Sequence, residues 1–477
     1  MTLGYRQENA KTLAALLGIE EEDAAQRLSL RIAVTFESRT DAAQELGSHI
    51  IEMLRRTVEY AGPPDDNPFA LEVVIGDCAP ATAAPLRVYA GEDGADFVIR
   101  ETTPLTKCDL SIPRPLLVIA ACYVSATAIR VALGPTFPFG NSAPIILSWP
   151  ALFGTHLDRL AQPLGIGEVY LAGAGAVGHG FVYTLRYFDV RGTLYVTDPK
   201  NVTAGGLNRC LLFGAGDLGY RKATRLCGVA GPLFPSLKLI AINKELDEAR
   251  KLRGTDFLIE KLVVGVDSRR VRRSLQSALP GTVFDASTTD ITEVVLHFNR
   301  QPTESACLSC VYPENERERK HEENVAEALG LRVEEVRTGF ISSSIAMKIC
   351  DKYTDLRADN LVGRAFDTVY KELCGIGKLK TVGGQQVLAP FSFVSVLAGA
   401  YLAVEFAIRL ATPDEDRFNY WRVSPWHNPV PQLRQARPRD PGCEFCSRPS
   451  LRQVMQQLWG ERQEPGDKEK ESRITSS

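Results

Sequence analysis

The sequence predicts an α/β protein made of two successive domains. Strand-like and helix-like runs alternate over residues 1–150. From Gly165 onward, a strand, a glycine-rich turn, a helix and a second strand together form one βαβ unit. A further strand, 261–265, leads to Asp267, and a carboxylate at the end of a parallel strand lies where open α/β sheets bind ligands.

The composition is that of an ordinary soluble protein. Of the 477 residues, 44% are hydrophobic and 24% are charged, and the net charge of −3 gives no broad basic surface for phosphate backbones. We therefore expect no nucleic-acid partner. The eleven cysteines are an odd number, and the first residues carry no signal-peptide pattern, so we expect a cytoplasmic protein without a disulfide framework. The most apolar stretch, 389–407, contains Glu405 and is predicted to be a buried helix, so we expect no membrane partner.

The first domain is predicted to be α/β without a nucleotide site. Its strand-like runs are 32–36, 71–75, 86–89 and 116–120, and its helix-like runs are 41–60 and 125–133. The first strand is followed by the residues Glu-Ser-Arg-Thr-Asp, at 37–41, rather than by glycines. Such a turn cannot bring its backbone close to a pyrophosphate.

The second domain contains a glycine motif in the context that binds nucleotides. Three glycines form a GxGxxG, namely Gly173, Gly175 and Gly178. The motif directly follows the strand 168–171 and opens the helix 177–188, so backbone amides and the helix N-terminus can receive a phosphate. An NAD enzyme and an ATP enzyme fit this motif equally well.

The residues that follow favour ATP. Asp198 comes at the end of the next strand, where a carboxylate can accept hydrogen bonds from ribose hydroxyls. Asn208, Arg209 and Lys222 then supply an amide and two cations, and Asp267 supplies a second carboxylate. This set suits a triphosphate and its Mg²⁺, and a dehydrogenase does not need it.

Together these motifs resemble the adenylating domain of the ubiquitin-activating enzymes and their bacterial relatives, the ThiF/MoeB family, over about residues 155–450. The resemblance implies a Rossmann-like adenylation domain that uses ATP and Mg²⁺. The roles it implies are Asp198 for the ribose, Asn208 with the catalytic residues Arg209 and Lys222 for the triphosphate, and the catalytic Asp267 for Mg²⁺.

Several positions depart from the family pattern or stay ambiguous. Cys210 stands where the family usually has Gln, and Asp285 begins a stretch where the family usually has glycines, so the tail of a polypeptide substrate could follow a different path there. Arg272 and Arg273 fit either a site contact or a charged, solvated helix face. Arg6 fits either an arginine that reaches ATP or a frayed terminus.

Two CxxC pairs have the local spacing of zinc ligands: Cys307 with Cys310, and Cys443 with Cys446. The gap between the pairs greatly exceeds that of a zinc ribbon, so spacing alone leaves open two unrelated redox pairs. Relatives in the family often bind a structural Zn²⁺ through two such pairs. The resemblance therefore implies a structural, non-catalytic zinc that fixes the segment after residue 411, which is rich in Pro, Arg and Trp and is predicted to wrap the domain rather than join its core.

Ubiquitin-activating enzymes carry a nucleophilic cysteine in a crossover segment, which here corresponds to about 311–390. Only Cys350 and Cys374 lie in it. Cys350 falls beside an apolar helical stripe, which favours burial. Cys374 lies in a glycine-rich stretch with Lys371, Lys378 and Lys380 nearby, and an electropositive, accessible setting favours the thiolate. We therefore predict Cys374 as the nucleophile, while a helix C-terminal cysteine capped by Gly375 is the structural alternative.

The resemblance implies an architecture in four parts. They are a degenerate, inactive adenylation-like domain at 1–150, an active ThiF-type adenylation domain with its crossover segment at 151–412, a C-terminal segment that closes the zinc site at 413–460, and a disordered tail at 461–477. This arrangement resembles the activating enzymes of bacterial ubiquitin-like conjugation operons, some of them antiphage.

The activity that the resemblance implies is adenylation of the C-terminal glycine of a ubiquitin-like protein, then thioester formation on Cys374 and transfer to a conjugating enzyme. Two alternatives stay open: a sulfur-carrier adenylyltransferase without the thioester step, and a non-catalytic nucleotide-binding scaffold. Family adenylation folds pair with one another, so we expect a homodimer, although the internal copy could meet that need within one chain.

Overall fold

A computed structural model describes residues 4–36, 41–105, 112–141, 143–254, 257–289, 291–314, 316–337, 339–375, 389–413 and 417–460. These residues form two mixed β-sheets with helices between the strands. The first sheet is built from strands before residue 150 and the second from later strands. The predicted tail at 461–477 lies outside the described residues.

The described residues of the first half form α-helices and β-strands that alternate along much of the chain. The helices are α1 (Gly4–Leu17), α2 (Glu21–Leu28), α3 (Asp41–Arg55), α4 (Arg114–Leu133) and α5 (Trp149–Phe153), and the strands are β1 (Arg31–Phe36), β2 (Tyr60–Gly62), β3 (Leu71–Ile75), β4 (Leu86–Asp93), β5 (Asp96–Arg100) and β6 (Ile145–Ser148). The strand order is β2-β1-β3-β4-β5-β6, in which the first four strands are parallel and the last two are antiparallel.

One predicted strand of this half is wrong. Residues 116–120 lie inside α4, whose residues from Pro115 to Ile129 are all buried. A helix that is apolar on every side shows no 3.6-residue periodicity, so a short run within it cannot be distinguished from a buried strand by pattern alone.

The second half begins with the βαβ units of the second sheet. Its elements are β7 (Leu164–Ala172), α6 (Ala176–Leu185), β8 (Val190–Thr197), α7 (Lys222–Ala230), β9 (Leu237–Ile242), α8 (Leu246–Arg253), β10 (Lys261–Val264), α9 (Arg269–Gln276), β11 (Thr282–Thr289) and β12 (Glu293–Arg300). These are followed by α10 (Leu308–Val311), α11 (Glu316–Leu329), α12 (Val333–Arg337), α13 (Ser343–Lys352), α14 (Phe366–Gly375), α15 (Ser392–Ala411), β13 (Tyr420–Val423), β14 (Arg434–Gln435) and α16 (Pro449–Trp459).

The second sheet has the order β14-β13-β12-β11-β10-β7-β8-β9. The strands from β11 to β9 are parallel, and β12, β13 and β14 are added antiparallel. Because β8 lies on one side of β7 and β10 lies on the other, the carboxyl end of β7 is a topological switch point. Open α/β sheets bind their ligands at such points.

The two halves share one hydrophobic core. Its buried residues come from α3 and α4 of the first half and from α6 and α15 of the second. Gly180 and Gly399 permit the close crossing of α6 and α15, since a Cβ on Gly399 would lie 2.2 Å from the Phe181 nitrogen. The helices α4 and α15 are long and apolar enough to span a membrane, but 78% and 89% of their apolar windows are buried inside the fold.

The C-terminal segment joins the core, contrary to the prediction that it only wraps the domain. It adds β13 and β14 to the second sheet, and Trp421 in β13 is fully buried against Tyr401. The prediction failed because the high content of Pro and Arg obscures the short strand in which this tryptophan lies.

A separate small hydrophobic core forms among α11, α12, α13 and α14, within the predicted crossover segment.

Candidate active site

The glycine turn between β7 and α6 tolerates no side chain at its first and last glycines. Gly173 has φ +101°, and a Cβ there would lie 3.0 Å from the carbonyl of Gly265, which follows β10. A Cβ on Gly178 would lie 2.1 Å from the carbonyl oxygen of Gly173. The turn can therefore present its backbone only while these positions are glycine.

Asp198 connects this turn to the end of β8. Its Oδ2 accepts a hydrogen bond from the Ala174 amide at 2.9 Å, and its Oδ1 accepts one from the Lys200 amide at 2.8 Å. The residue is 6% exposed. The structure therefore places the predicted ribose carboxylate against the glycine turn, at the switch point of the sheet.

Lys200 is a site residue that the sequence analysis missed. Its Nζ lies 3.4 and 3.5 Å from the two carboxylate oxygens of Asp267, and its carbonyl accepts a hydrogen bond from the Lys222 amide at 3.0 Å. Through its backbone and side chain it contacts Asp198, Lys222 and Asp267. The sequence feature that could have revealed Lys200 is its position two residues after Asp198, at the same edge of the sheet.

A buried carboxyl group, Glu245, completes the charges at this edge. Burial raises its pKa to about 7, and the nearby Asp198 adds to the increase. The Ala365 amide, which donates to Glu245 Oε1 at 3.2 Å, opposes this shift together with Lys200. For Lys200 itself, burial disfavours the charge, but Asp267, Asp198 and Glu245 outweigh burial and raise the pKa of the ammonium.

Asn208 and Arg209 lie together at the boundary with the first half. Asn208 Nδ2 donates to Asn9 Oδ1 in α1 at 3.1 Å, and Asn208 Oδ1 accepts from Arg209 Nη1 at 2.8 Å. Cys210 is buried in the shared core, where burial raises its pKa, so the thiol is not a reactive group.

An arginine of the first half binds the segment that carries Asn208 and Arg209. Arg56 directly follows α3, and its guanidinium donates to three carbonyl oxygens of this segment, those of Leu207 (3.0 Å), Leu211 (2.9 Å) and Phe213 (2.9 Å). The carbonyl of Arg56 accepts from Asn9 Nδ2 at 2.5 Å. The first half thus positions part of the site of the second, and neither Arg56 nor Asn9 belongs to a motif that would have revealed this.

Arg272 and Arg273 of α9 form ion pairs with carboxylates of other elements rather than a solvated helix face. Arg272 is buried and donates to Asp285, to the Val266 carbonyl and, at 2.9 Å, to the Ala286 carbonyl. Arg273 forms a two-point ion pair with Glu318 at 2.5 and 2.8 Å. Because Val266 directly precedes Asp267, Arg272 fixes the backbone beside the predicted metal ligand.

The helix that carries Cys374 begins beside the site. Asp367 near the start of α14 accepts hydrogen bonds from Ser268 and from Arg270, the latter at 2.5 Å. Ser268 directly follows Asp267, and Arg270 lies in the first turn of α9. Cys374 lies about two turns further along α14, roughly 10 Å at 1.5 Å per residue. Its side chain, and Lys378 and Lys380, lie outside the described residues.

The remaining candidates, Cys350 and Arg6, have contacts with other parts of the fold. Cys350 lies in α13, half-buried against the small helical core. Arg6 in α1 donates to the Glu59 carbonyl at 3.1 Å, within the first half.

The four cysteines of the two CxxC pairs converge, with all four sulfurs within 4.8 Å of one another: Cys307, Cys310, Cys443 and Cys446. Neighbouring sulfurs lie 3.8, 3.8 and 3.3 Å apart. A tetrahedron of thiolates about 2.3 Å from a zinc ion has sulfurs about 3.8 Å apart. The cluster could therefore hold a metal ion, and it joins α10 to the C-terminal segment.

The ThiF family model matches residues 156–445, and the model of the E1 N-terminal domain matches residues 3–148. The chain belongs to the ThiF family. This membership supports an adenylyltransferase-like activity and a Rossmann-like domain for the second half.

The similarity of this chain to individual proteins is low. The uncharacterized protein y4jF of Sinorhizobium fredii is 25% identical over 352 residues, which span 69% of this chain and 66% of that protein. Crystal structures of E. coli MccB with MccA-N7isoASN and with ATP are both 13% identical, with TM-scores of 0.36 and 0.35. Each covers 75% of this chain and 97% of MccB.

Proposed function

We propose that this protein uses ATP to adenylate the C-terminal glycine of a ubiquitin-like protein and then captures the acyl group on Cys374. The observation that carries the first step is the convergence of the glycine turn, Asp198 and Asp267 at one switch point, with Lys222 beside them. This is the position at which a nucleotide can meet both backbone amides and acidic side chains.

In this reaction a carboxylate oxygen of the substrate attacks the α-phosphorus of ATP, and the bond to the β-phosphate oxygen breaks. Asp198 would hold the ribose, while Arg209, Lys222 and Asn208 would bind and orient the phosphates. Asp267 would hold Mg²⁺, whose charge neutralises the leaving pyrophosphate. The exposed carboxylate of Asp267 at the strand end fits a hard cation that prefers oxygen ligands.

The second step moves the acyl group from the adenylate to Cys374. The thiolate attacks the acyl carbon and AMP leaves with the bonding electrons. Support comes from the direct contacts of α14 with Ser268 and Arg270, which tie this helix to the nucleotide edge. We further propose transfer to a conjugating enzyme, a role in bacterial antiphage defence, a cytoplasmic location and a homodimer, each on the resemblance alone.

Two other functions remain candidates. A sulfur-carrier adenylyltransferase would need the same ATP site but not Cys374. A nucleotide-binding scaffold would need neither adenylation nor thioester formation. The intact set of Asp198, Arg209, Lys222 and Asp267 argues against this function.

The cysteine cluster is proposed to hold a structural Zn²⁺. Elemental analysis of the purified protein should therefore find one zinc per chain, and Cys443→Ser should remove it.

The test is intact mass spectrometry of the protein with ATP, Mg²⁺ and a panel of ubiquitin-like proteins that end in glycine. We expect a reductant-sensitive adduct with the mass of the carrier less water, and its loss in Cys374→Ala but not in Cys350→Ala. ATP–pyrophosphate exchange without an adduct would support the sulfur-carrier alternative. Nucleotide binding without exchange would support the scaffold.

A further inference from the structure

A lysine faces the carboxylate that the proposed function gives to Mg²⁺. The Lys200 ammonium lies almost equally far from both oxygens of Asp267, at 3.4 and 3.5 Å. The Lys200 side chain is 22% exposed, whereas that of Asp267 is 60% exposed. The ammonium therefore approaches Asp267 from inside the site, where a nucleotide-bound metal ion would also approach.

The Lys200 ammonium and a Mg²⁺ ion cannot both contact the Asp267 carboxylate from the same side without electrostatic and steric repulsion. Mg²⁺ binds carboxylate oxygens at about 2.0–2.1 Å with near-octahedral geometry, and it keeps several waters. An ammonium that faces both oxygens blocks this shell, and its positive charge repels the incoming ion across a few ångströms. Binding of the metal ion must therefore break or weaken the contact between Lys200 and Asp267.

The backbone of Lys200 is fixed on both sides, so its side chain stays in the site when it moves. The Lys200 amide donates to Asp198, and its carbonyl accepts from the amide of Lys222. Both of these residues are proposed nucleotide contacts. A displaced ammonium thus remains within reach of the polyphosphate, which offers charged oxygen acceptors.

We propose that Lys200 competes with the divalent cation for Asp267 and moves onto the polyphosphate when the cation binds. The inference rests on the proposed function, because it assigns the metal ion to Asp267. It makes Lys200 a phosphate-binding residue that also reduces the affinity of the empty site for metal ions. Such a site would favour a metal ion that arrives together with its nucleotide.

The test measures metal and nucleotide affinities separately with Lys200→Met, which keeps the backbone contacts and most of the side-chain length. Electron paramagnetic resonance of Mn²⁺ without nucleotide reports the metal affinity. Calorimetric titration of ATP at saturating Mg²⁺ reports the nucleotide affinity. We expect Lys200→Met to bind Mn²⁺ about threefold to fivefold more tightly, as removal of a partly exposed ion pair allows, and to bind ATP at least threefold more weakly.

Lys238→Met removes an exposed lysine of β9 and serves as the matched control, with both affinities expected to stay as in the wild type. Lys200→Arg keeps the charge and should not raise the Mn²⁺ affinity. A folding defect would weaken the binding of both Mn²⁺ and ATP. Tighter Mn²⁺ binding together with weaker ATP binding therefore distinguishes the proposed role from misfolding. Unchanged or weaker Mn²⁺ binding in Lys200→Met would overturn the role of Lys200 alone. Failure of the wild type to bind ATP with Mg²⁺ would overturn the proposed function as well.

Discussion

Glu72 in the first half lies in a parallel strand and Asp267 in the second follows one, but the environments of these two carboxylates are opposite. In the first half, Glu72 in β3 is fully buried, and its oxygens accept hydrogen bonds from Thr35 Oγ1 (2.7 Å) and from the Ala81 and Thr82 amides (2.6 and 3.2 Å). In the second half, Asp267 is largely exposed at the end of a parallel strand. The buried carboxylate satisfies backbone and side-chain donors of its own half, whereas the exposed one is accessible to a ligand.

The turn after the first strand of each sheet shows the same difference. After β7, glycines allow α6 to begin against the backbone that follows β10. After β1, the sequence has Glu-Ser-Arg-Thr at 37–40 in place of glycines, and α3 begins with Asp41. The first half instead provides Arg56, which binds the segment of Asn208 and Arg209. The first half thus lacks the glycine motif in its sequence and contacts the segment that carries two candidate site residues of the second half.

The largest expected effect comes from closing the glycine turn. Gly178→Ala would place a Cβ 2.1 Å from the carbonyl of Gly173, so the turn must open and its amides must move. We expect ATP–pyrophosphate exchange to fall at least about a hundredfold, as when preorganised donors are lost.

Gly228→Ala in α7 is the matched control, because no heavy atom lies within 4 Å of its added methyl group. Activity should be unchanged there, and stability should rise by up to about 1 kcal/mol. Retention of more than a tenth of the wild-type rate in Gly178→Ala would contradict the role given to this turn.

A paired substitution tests the opposite use of carboxylates. Asp267→Asn should lower ATP–pyrophosphate exchange by roughly a hundredfold and leave the melting temperature nearly unchanged, because the side chain is exposed. Glu72→Gln should lower the free energy of unfolding by about 2–3 kcal/mol, because it leaves buried amides without a charged acceptor. Its exchange rate should remain within about twofold of the wild type. The same pattern of effects in both variants would refute the distinction between the halves.

The parts of the molecule that could be predicted from the sequence are those with local signals. The glycine turn and each CxxC pair depend on spacing within a few residues, and Asp198 was predicted from the strand that directly precedes it. All of them occupy the expected elements. Arg56 and Asn9 could not be predicted, since their contacts join residues about 150 to 200 positions apart. The sequence left Arg272 and Arg273 ambiguous for a related reason, because their carboxylate partners, Asp285 and Glu318, lie on other elements of the fold.

The pH dependence of the free energy of unfolding should show whether the two halves unfold together. His49 in α3 and His179 in α6 are both buried, and burial lowers the pKa of each to about 3, helped by Arg186 beside His49 and by Lys222 and Arg56 beside His179. Between pH 6.5 and 3 the unfolded chain therefore binds more protons than the folded chain, so stability falls as the pH falls. From pH 7 to pH 5, each histidine should contribute a loss of about 2 kcal/mol.

His49→Gln and His179→Gln should each reduce this loss by that amount, measured by denaturant unfolding at the two pH values. His49 contacts Tyr183 and Tyr187 across the boundary between the halves, so its substitution reports on both. Equal effects on a single transition would support one cooperative core. Two separate transitions, each sensitive to one variant, would show that the halves unfold independently.

The smallest effect tests the support that the first half gives to the second. Arg56→Ala removes three hydrogen bonds to the segment of Asn208 and Arg209, so we expect the KM for ATP to rise about tenfold, the equivalent of 1.4 kcal/mol, with a smaller change in kcat. Arg56→Lys, which cannot reach all three carbonyls at once, should give an intermediate value. Arg55→Ala is the matched control, because Arg55 donates to the Ala61 carbonyl within its own half. If both alanine variants change only the melting temperature, the first half stabilises the protein without positioning the site. An increase in KM confined to Arg56 would instead show that the first half sets the geometry of the site in the second half.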